Sequence, residues 1–380
     1  MGNLHTVANL GTPLGADLGS IERQLAAFWR SASAQPDEPP VIKACSSNLI
    51  VITPGRQQAE ALPPVLADVA EWHPCRSLVA FQEAPATGSG SPPMQGWILV
   101  QCRSQLGGGP QVCSEVITIG ARREAVDDLA NTLVSLLVPD LPVFLYWRSP
   151  RAADWPLVET LSRFTDLLLI DSDASPSRPE DRVRVLGLFT KAPKPVGIRD
   201  LSWSRLTAWR DLIAQFFDSR AALSQLKELV ELEISFRRAS AESWPGYVFL
   251  LAGWLTSRLG WQRASAERKA DESVVHMRGD SGEVLVRLTR SPERTERGGL
   301  KTVRFLTRSG SSFSVTRADE KSCLSSVVVF PSMKPVVHTV PCPSLREADL
   351  LIGELSLQGE DTGFKAALAA AMVLEKDIKY

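Results

Sequence analysis

Apolar and polar positions recur along this chain with two periods, and the order in which the periods change lays out an architecture. Asn48 to Thr53 (NLIVIT) is a short apolar run closed by Pro54-Gly55, which predicts a strand. Leu62, Val65, Leu66, Val69 and Trp72 then share one helical face, with Pro63 and Pro64 in the first turn and a stop at His73-Pro74. Leu78 to Phe81 reads as a strand, and Gly96 to Arg103 with Gln111 to Ile119 as a hairpin around Leu106 to Pro110. The stretch from Glu124 to Arg148 joins a helix pattern (Val126, Leu129, Leu133, Leu136, Leu137) to the apolar strand Val143 to Trp147. The turn between them is bounded by Pro139 and Pro142. Leu157, Leu161 and Phe164 mark another helix, and Leu167 to Ile170 another apolar strand, ending at Asp171-Ser172-Asp173.

Strands this uniformly apolar are buried on both faces, so the first domain, residues 1–218, is expected to be α/β: a mainly parallel sheet covered by helices, with the hairpin at one edge. An N-terminal arm over about 1–40 carries a helix capped by Ser20, with Ile21, Leu25, Phe28 and Trp29 on one face, closed by the proline-rich Gln35 to Pro40. A strongly amphipathic helix through Leu206, Trp209, Leu212, Ile213, Phe216 and Phe217 closes the domain.

From Glu228 the period becomes two. Val230, Leu232, Ile234 and Phe236 alternate with polar residues, as in a half-buried strand of an antiparallel sheet. Tyr247 to Leu259 is apolar nearly all round and predicts a central helix. Six short strands follow between Ser273 and Val340. Ser344 and Glu347 have the spacing of a capping box, and a last helix from Gly363 aligns Phe364, Leu368 and Met372. Residues 219–380 are therefore expected to form an α+β domain with an antiparallel sheet.

Charge changes the picture only by exclusion. Forty-two Lys and Arg against 43 Asp and Glu give the whole chain no bias towards nucleic acid. No run of about 18 apolar residues is present, and the start MGNLHTVANLGTP lacks a signal organisation, so a soluble, cytoplasmic protein is expected. Met1 to Thr6 fits the loose myristoylation pattern, which is common by chance. The six cysteines (Cys45, Cys75, Cys102, Cys113, Cys323, Cys342) form no CxxC pair, which leaves small buried hydrophobes as the default and redox sensing as the minority reading.

Candidate chemistry is sparse. There is no GxGxxG between a strand and a helix, no phosphate loop and no GxSxG elbow, so no cofactor is expected. His5, His73, His276 and His338 are too dispersed for a metal centre, and none is expected. His73 beside Cys75 could in principle activate a thiolate. Asp171 and Asp173 sit at the carboxyl end of a strand, where open α/β sheets bind ligands, but Asp side chains also cap turn amides. The arginines between Arg287 and Arg308 make either a solvated or a binding face.

Several segments occur in the order of a known family. These are His73-Pro74-Cys75-Arg76, Glu115 to Ile119, Leu137-Val138-Pro139-Asp140-Leu141-Pro142 leading into Val143 to Trp147, Leu201 to Leu206 with Trp209 and Arg210, and Phe249 to Leu255 ending at Trp261. By them the chain resembles the OpcA family of glucose-6-phosphate dehydrogenase assembly proteins, most specifically in the Pro-Asp-Leu-Pro run. The resemblance implies no catalysis, but binding to the NADP-linked glucose-6-phosphate dehydrogenase of the pentose phosphate pathway as an allosteric activator or assembly factor. It points to the exposed turn Pro139, Asp140, Leu141 and Pro142 and the strand end Trp147 and Arg148 as contact residues. Some cyanobacterial members are linked to thioredoxin control, and Cys323 and Cys342 are the candidates for that here. The enzyme-class alternative is a sugar-phosphate-binding α/β protein using the carboxylates at the strand end.

Overall fold

The computed structural model describes residues 4–9, 14–15, 18–32, 41–83, 93–104, 111–148, 155–173, 187–189, 191–238, 244–268, 271–280, 282–294, 298–318 and 322–377. The Met1-Gly2 start, the Gln35–Pro40 stretch, residues 84–92 and the hairpin turn at 105–110 lie outside them. The chain divides into two compact units: Met1–Leu201 with Arg346–Gln358, and Ser202–Leu345 with Gly359–Tyr380.

The first unit is built on one sheet. Its strands are β1 (Leu4–Asn9), β2 (Leu14–Gly15), β3 (Val41–Lys43), β4 (Ser47–Ile52), β5 (Cys75–Gln82), β6 (Met94–Ser104), β7 (Gln111–Ala121), β8 (Val143–Trp147), β9 (Leu167–Ile170) and β10 (Gly197–Asp200), in the order β1-β6-β7-β5-β4-β8-β9-β10. From β7 to β10 every neighbouring pair is parallel. β6 is antiparallel to β7, and β1 lies beyond the hairpin at the edge. Counted from β4, the parallel strands run third, second, first, fourth, fifth, sixth, which is the order of a dinucleotide-binding fold, with its topological switch between β4 and β8. The α/β expectation therefore holds, down to the mainly parallel sheet. β3 and β10 were not anticipated, because three or four residues are too few for a periodic signal.

Helices cover the sheet because alternate residues of each strand point to opposite faces. Leu49, Val51, Val79, Phe81, Tyr146 and Leu169 share a buried cluster with Ala59 from α2 (Arg56–Glu60), Leu62 between the helices, and Leu66 and Val69 from α3 (Pro63–Trp72). α4 (Val126–Ser135), packed beside α5 (Trp155–Ser162), contacts β5 and β7. Trp72, expected on the buried face of α3, is 69% exposed, since the helix ends there and His73 leaves the helical region. The N-terminal arm is tied down through α1 (Leu18–Ala32): the Trp29 indole N–H donates to the buried carboxylate of Glu115. Lys43 and Arg76 approach the same carboxylate at 2.6 and 2.8 Å. Burial pushes the pKa of Glu115 up, but Arg76, Lys43 and the indole more than offset it, leaving the group below its usual 4.5.

Cys102 and Cys113 face each other across β6 and β7 with Cα atoms 4.0 Å apart and form a disulfide, where isolated buried thiols were expected. Spacing along the chain carries no signal for this, because register alone puts the two opposite one another.

The second unit begins with α6 (Leu201–Arg205), whose first residue belongs to the first unit, α7 (Thr207–Gln215) and α8 (Arg220–Gln225). Its sheet holds β11 (Leu229–Arg238), β12 (Gln262–Arg268), β13 (Glu272–Gly279), β14 (Gly282–Arg294), β15 (Gly299–Thr307), β16 (Ser312–Ala318), β17 (Cys323–Val329) and β18 (Val336–Pro341). The order is β12-β13-β14-β11-β15-β16-β17-β18. It is mixed rather than purely antiparallel: β11 runs parallel to β14 and antiparallel to β15. Alternation predicts which face is buried, not the direction of the neighbour. The division expected after residue 218 falls earlier, because the helix that was to close the first domain packs on this sheet. Phe216 and Phe217, just past α7, pack against Phe313 and Phe305, the first pair tilted and the second edge to face. α9 (Gly246–Arg258) crosses α11 (Thr362–Asp377) closely at Gly253, where a Cβ would collide with the Ala367 carbonyl.

One helix of the C-terminal sequence, α10 (Glu347–Ser356), is part of the first unit, where it packs against α3 and buries Leu350 and Leu351 in the sheet cluster. Its N-cap is Arg346 rather than Ser344, the Arg346 amide donating to the Asp349 carboxylate at 3.2 Å. Among the described residues, no helix is long and apolar enough to cross a membrane.

Candidate functional site at the sheet switch point

In a sheet of this order, ligands lie beyond the carboxyl ends of the strands flanking the switch, here β4 and β8. The β4 end continues Thr53-Pro54-Gly55-Arg56-Gln57-Gln58, with a proline that lacks an amide donor and a single glycine in extended conformation (φ −179°). The helix that should receive a phosphate on its first turn is α2, five residues long, which breaks before Pro63. The cradle of backbone N–H groups that would hold a pyrophosphate is not built by this sequence.

The β8 end presents Tyr146 and Trp147, both essentially buried, followed by Arg148. In a nucleotide-binding protein, an arginine here would be a ready anion partner. Its anion is instead supplied by the chain. The Glu347 carboxylate at the start of α10 accepts two hydrogen bonds from the Arg148 guanidinium at 2.7 and 2.9 Å and a third from the Tyr146 hydroxyl at 2.9 Å. Burial pushes the Tyr146 phenol well above its usual 10, and the neighbouring Glu347 and Asp171 carboxylates push it further. The hydroxyl thus remains a donor.

The far end of α10 is fixed as firmly. Arg199 donates to the Glu354 and Leu357 carbonyls at 3.1 and 3.0 Å, placing a cation on the negative end of the helix, and His73 Nε2 meets the Ile352 carbonyl and the Ser356 hydroxyl. His73 is thereby engaged away from Cys75, whose thiol is buried and pushed up to about 11 by desolvation. A thiolate pair does not form there.

At the end of β9 the Asp171 carboxylate caps a turn, and Asp200 from the end of β10 reaches the same turn. Asp171 Oδ1 accepts the Asp173 amide at 3.2 Å, and Asp200 Oδ1 accepts the Ser172 amide at 3.1 Å. Of the arginine-rich strands in the second unit, Arg287 is ion-paired with Glu231 and Glu272 on adjacent strands, as on a solvated face.

The residues expected as contacts lie at the two ends of β8. Trp147 and Arg148 lie at the carboxyl end of β8, the first with no exposure and the second held by Glu347. The Pro139–Pro142 turn lies at the opposite, amino end and is largely exposed. It is held from below by Asn48, fully buried, whose side chain accepts the Val138 amide at 2.8 Å and donates to the Val138 carbonyl at 3.0 Å. Asp140 takes a left-handed conformation, φ 62°. Asn48 and Glu347 were not singled out for these roles in the sequence, where the first is a strand residue and the second a capping residue.

Cys323 and Cys342 are not disulfide-bonded. Cys323 lies opposite Pro341, one residue short of Cys342, so the two side chains leave opposite faces of the sheet and form no disulfide with each other. The thioredoxin connection rested on that pair. Among the described residues, no cluster of three or more His, Cys, Asp or Glu could hold a metal ion.

Comparison with known proteins adds two family matches. Residues 66–186 match the N-terminal domain, and residues 196–368 the C-terminal domain, of the family described as the glucose-6-phosphate dehydrogenase subunit. A protein of Synechocystis sp. named "Putative OxPP cycle protein OpcA" is 25% identical over 208 residues, 55% of this chain and 42% of its own length. Its namesake in Nostoc punctiforme is 26% identical over 211 residues, 55% of this chain and 43% of its own. The match thus spans less than half the length of these relatives. Among solved structures, a dehydrogenase (MviM) from Clostridium difficile has a TM-score of 0.48 at 10% identity, covering 87% of this chain and 98% of that one. The transcriptional regulator Gal80p from Kluyveromyces lactis has 0.49 at 9%, covering 88% and 91%. Likenesses this distant carry no information on activity.

Proposed function

We infer function from one premise: this chain belongs to the OpcA family, whose two glucose-6-phosphate dehydrogenase assembly domains it carries in order. We propose that the protein binds a glucose-6-phosphate dehydrogenase and favours its active, oligomeric form, without catalysing a reaction itself, in the oxidative pentose phosphate pathway. The paired domain match carries this reading. The switch point supports it, because a helix of the chain itself supplies the carboxylate at Arg148 and the first turn builds no phosphate cradle. An activator of this kind needs no reactive group; it acts by binding the active state of its partner better than the inactive one, and its effect is limited by that difference. The exposed turn Pro139–Pro142, fixed by Asn48, is the surface we assign to that contact.

The test is a titration of the purified chain into the cognate dehydrogenase, reading sugar-phosphate dependence and sedimentation together. A shift in either is expected, and no change in both overturns the proposal. Calorimetry of the chain alone with NADP and with glucose 6-phosphate provides the second arm. Saturable heat in that arm would favour an enzyme.

A further inference from the structure

The two edges of the second unit's sheet are finished differently. β12 at one edge carries Arg263 and Glu267, and its register with β13 shifts between Arg263 and Ser265. Charge and a bulge are both devices that stop an edge strand from recruiting another. β18 at the other edge has neither. Its register with β17 is unbroken from Cys323–Pro341 to Val328–Val336, it contains no Asp, Glu, Lys or Arg, and Val336 and Val337 are 59% and 60% exposed.

The backbone of β18 can be sorted by side. The Cys342 amide donates to the Ser322 carbonyl directly across from it at 2.7 Å. In an antiparallel pair such exchanges recur at every second residue, so Val340, His338 and Val336 turn their amides and carbonyls towards β17. Val337 and Thr339 therefore turn theirs to the open edge. Pro335 and Pro341 belong to the same outward set, which is where a proline is tolerated in a sheet, and they close the window on both sides because neither has an amide hydrogen.

The window is also symmetric. Read from His338 outwards, Pro335-Val336-Val337-His338-Thr339-Val340-Pro341 places β-branched residues at matching positions on both sides and a proline at each limit. A two-fold interface demands this self-complementarity. We propose that the protein self-associates through antiparallel pairing of β18 with β18 of a second copy, centred on His338. Val337 then exchanges both backbone hydrogen bonds with Thr339 of the other copy, and Thr339 with its Val337. Val336 meets Val340 on one face, and the two His338 residues stand opposite one another as a non-hydrogen-bonded pair. Two short strands bury little area, so the dimer is a weak one, of the micromolar class or weaker.

Sedimentation equilibrium of the full chain alone, over a concentration series, is the experiment. Because no dehydrogenase is present, its outcome is independent of the function proposed above. A reversible monomer–dimer equilibrium is expected. Thr339→Pro removes an outward amide from each copy without touching the β17 pairing and should raise the dimer Kd roughly tenfold or more at an unchanged melting temperature. His338→Cys provides a readout that does not depend on tolerance of the proline. Residues opposed in this way lie about 4.5 Å apart at Cα, within disulfide reach, so mild oxidation should yield a covalent dimer. Val336→Cys, which faces Val340 rather than itself, should not. A chain that stays monomeric throughout, a Thr339→Pro dimer as tight as the parent's, or Val336→Cys cross-linking as readily as His338→Cys would overturn the proposal.

Discussion

The two ends of β8 have opposite fates. At its carboxyl end, the place where an open α/β sheet ordinarily receives a ligand, Tyr146 and Arg148 are bound to Glu347 at the start of a helix from the C-terminal sequence. At its amino end, where such sheets ordinarily receive nothing, the Pro139–Pro142 turn stands exposed on a buried asparagine. The difference teaches that a carboxylate of the chain itself can take up the arginine at a fold's customary ligand end. The exposed turn at the amino end is the surface proposed above to meet the partner.

The largest effect should come from the helix that carries Glu347. Leu351 on α10 is fully buried among sheet residues, so Leu351→Ala should cost about 3 kcal/mol of stability, read by urea unfolding. A loss below about 1 kcal/mol would mean that α10 is loosely attached and that the carboxyl end of β8 is not truly closed. Next comes the opposite end. Asn48→Ala leaves the Val138 amide without its acceptor beneath the turn and should cost about 2 kcal/mol. If the turn is the contact surface, activation of the dehydrogenase should fall by more than the loss of folded protein accounts for.

Glu347→Gln should cost about 1 kcal/mol, since the side chain keeps its shape but loses its charge beside Arg148 and exchanges one accepting oxygen for a donor. It also releases an arginine at the customary ligand position. The comparison nonetheless requires that calorimetry with NADP stay flat, because the Thr53–Gln58 turn offers no phosphate cradle. Saturable binding by this variant would show that Glu347 merely blocks a working site.

The two ends were also unequally legible. The helix, turn and strand from Glu124 to Arg148 could be read because proline geometry and unbroken apolarity are local signals. β12 and β10 could not: Gln262–Arg268 is a polar edge strand, and Gly197–Asp200 is too short to show a period. The contact through Glu347 was visible only as a helix. Its partners lie 199 and 201 residues away in sequence, and periodicity reports which face of a helix is buried without naming the core that buries it. Asn48 was hidden for a related reason. A polar residue at the start of an apolar strand reads as a boundary, whereas here it is fully buried because the Val138 turn satisfies it.

The smallest effect is the most discriminating. Asp140 sits at φ 62°, a conformation that aspartate and asparagine tolerate better than most residues. Asp140→Asn therefore keeps the backbone preference, changes only the charge of an exposed side chain, and should leave stability within about 0.5 kcal/mol. Any change in the activation of the dehydrogenase by this variant then belongs to the contact, not to the fold. A carboxylate that meets a cation on the partner would lose affinity on neutralisation, and the loss should shrink as salt rises and screens the pair. If Asp140→Asn activates like the parent at every ionic strength, the turn contributes shape alone or lies outside the interface. The Asn48→Ala result then decides between those two, because only a turn that touches the partner transmits a loosened backbone to it.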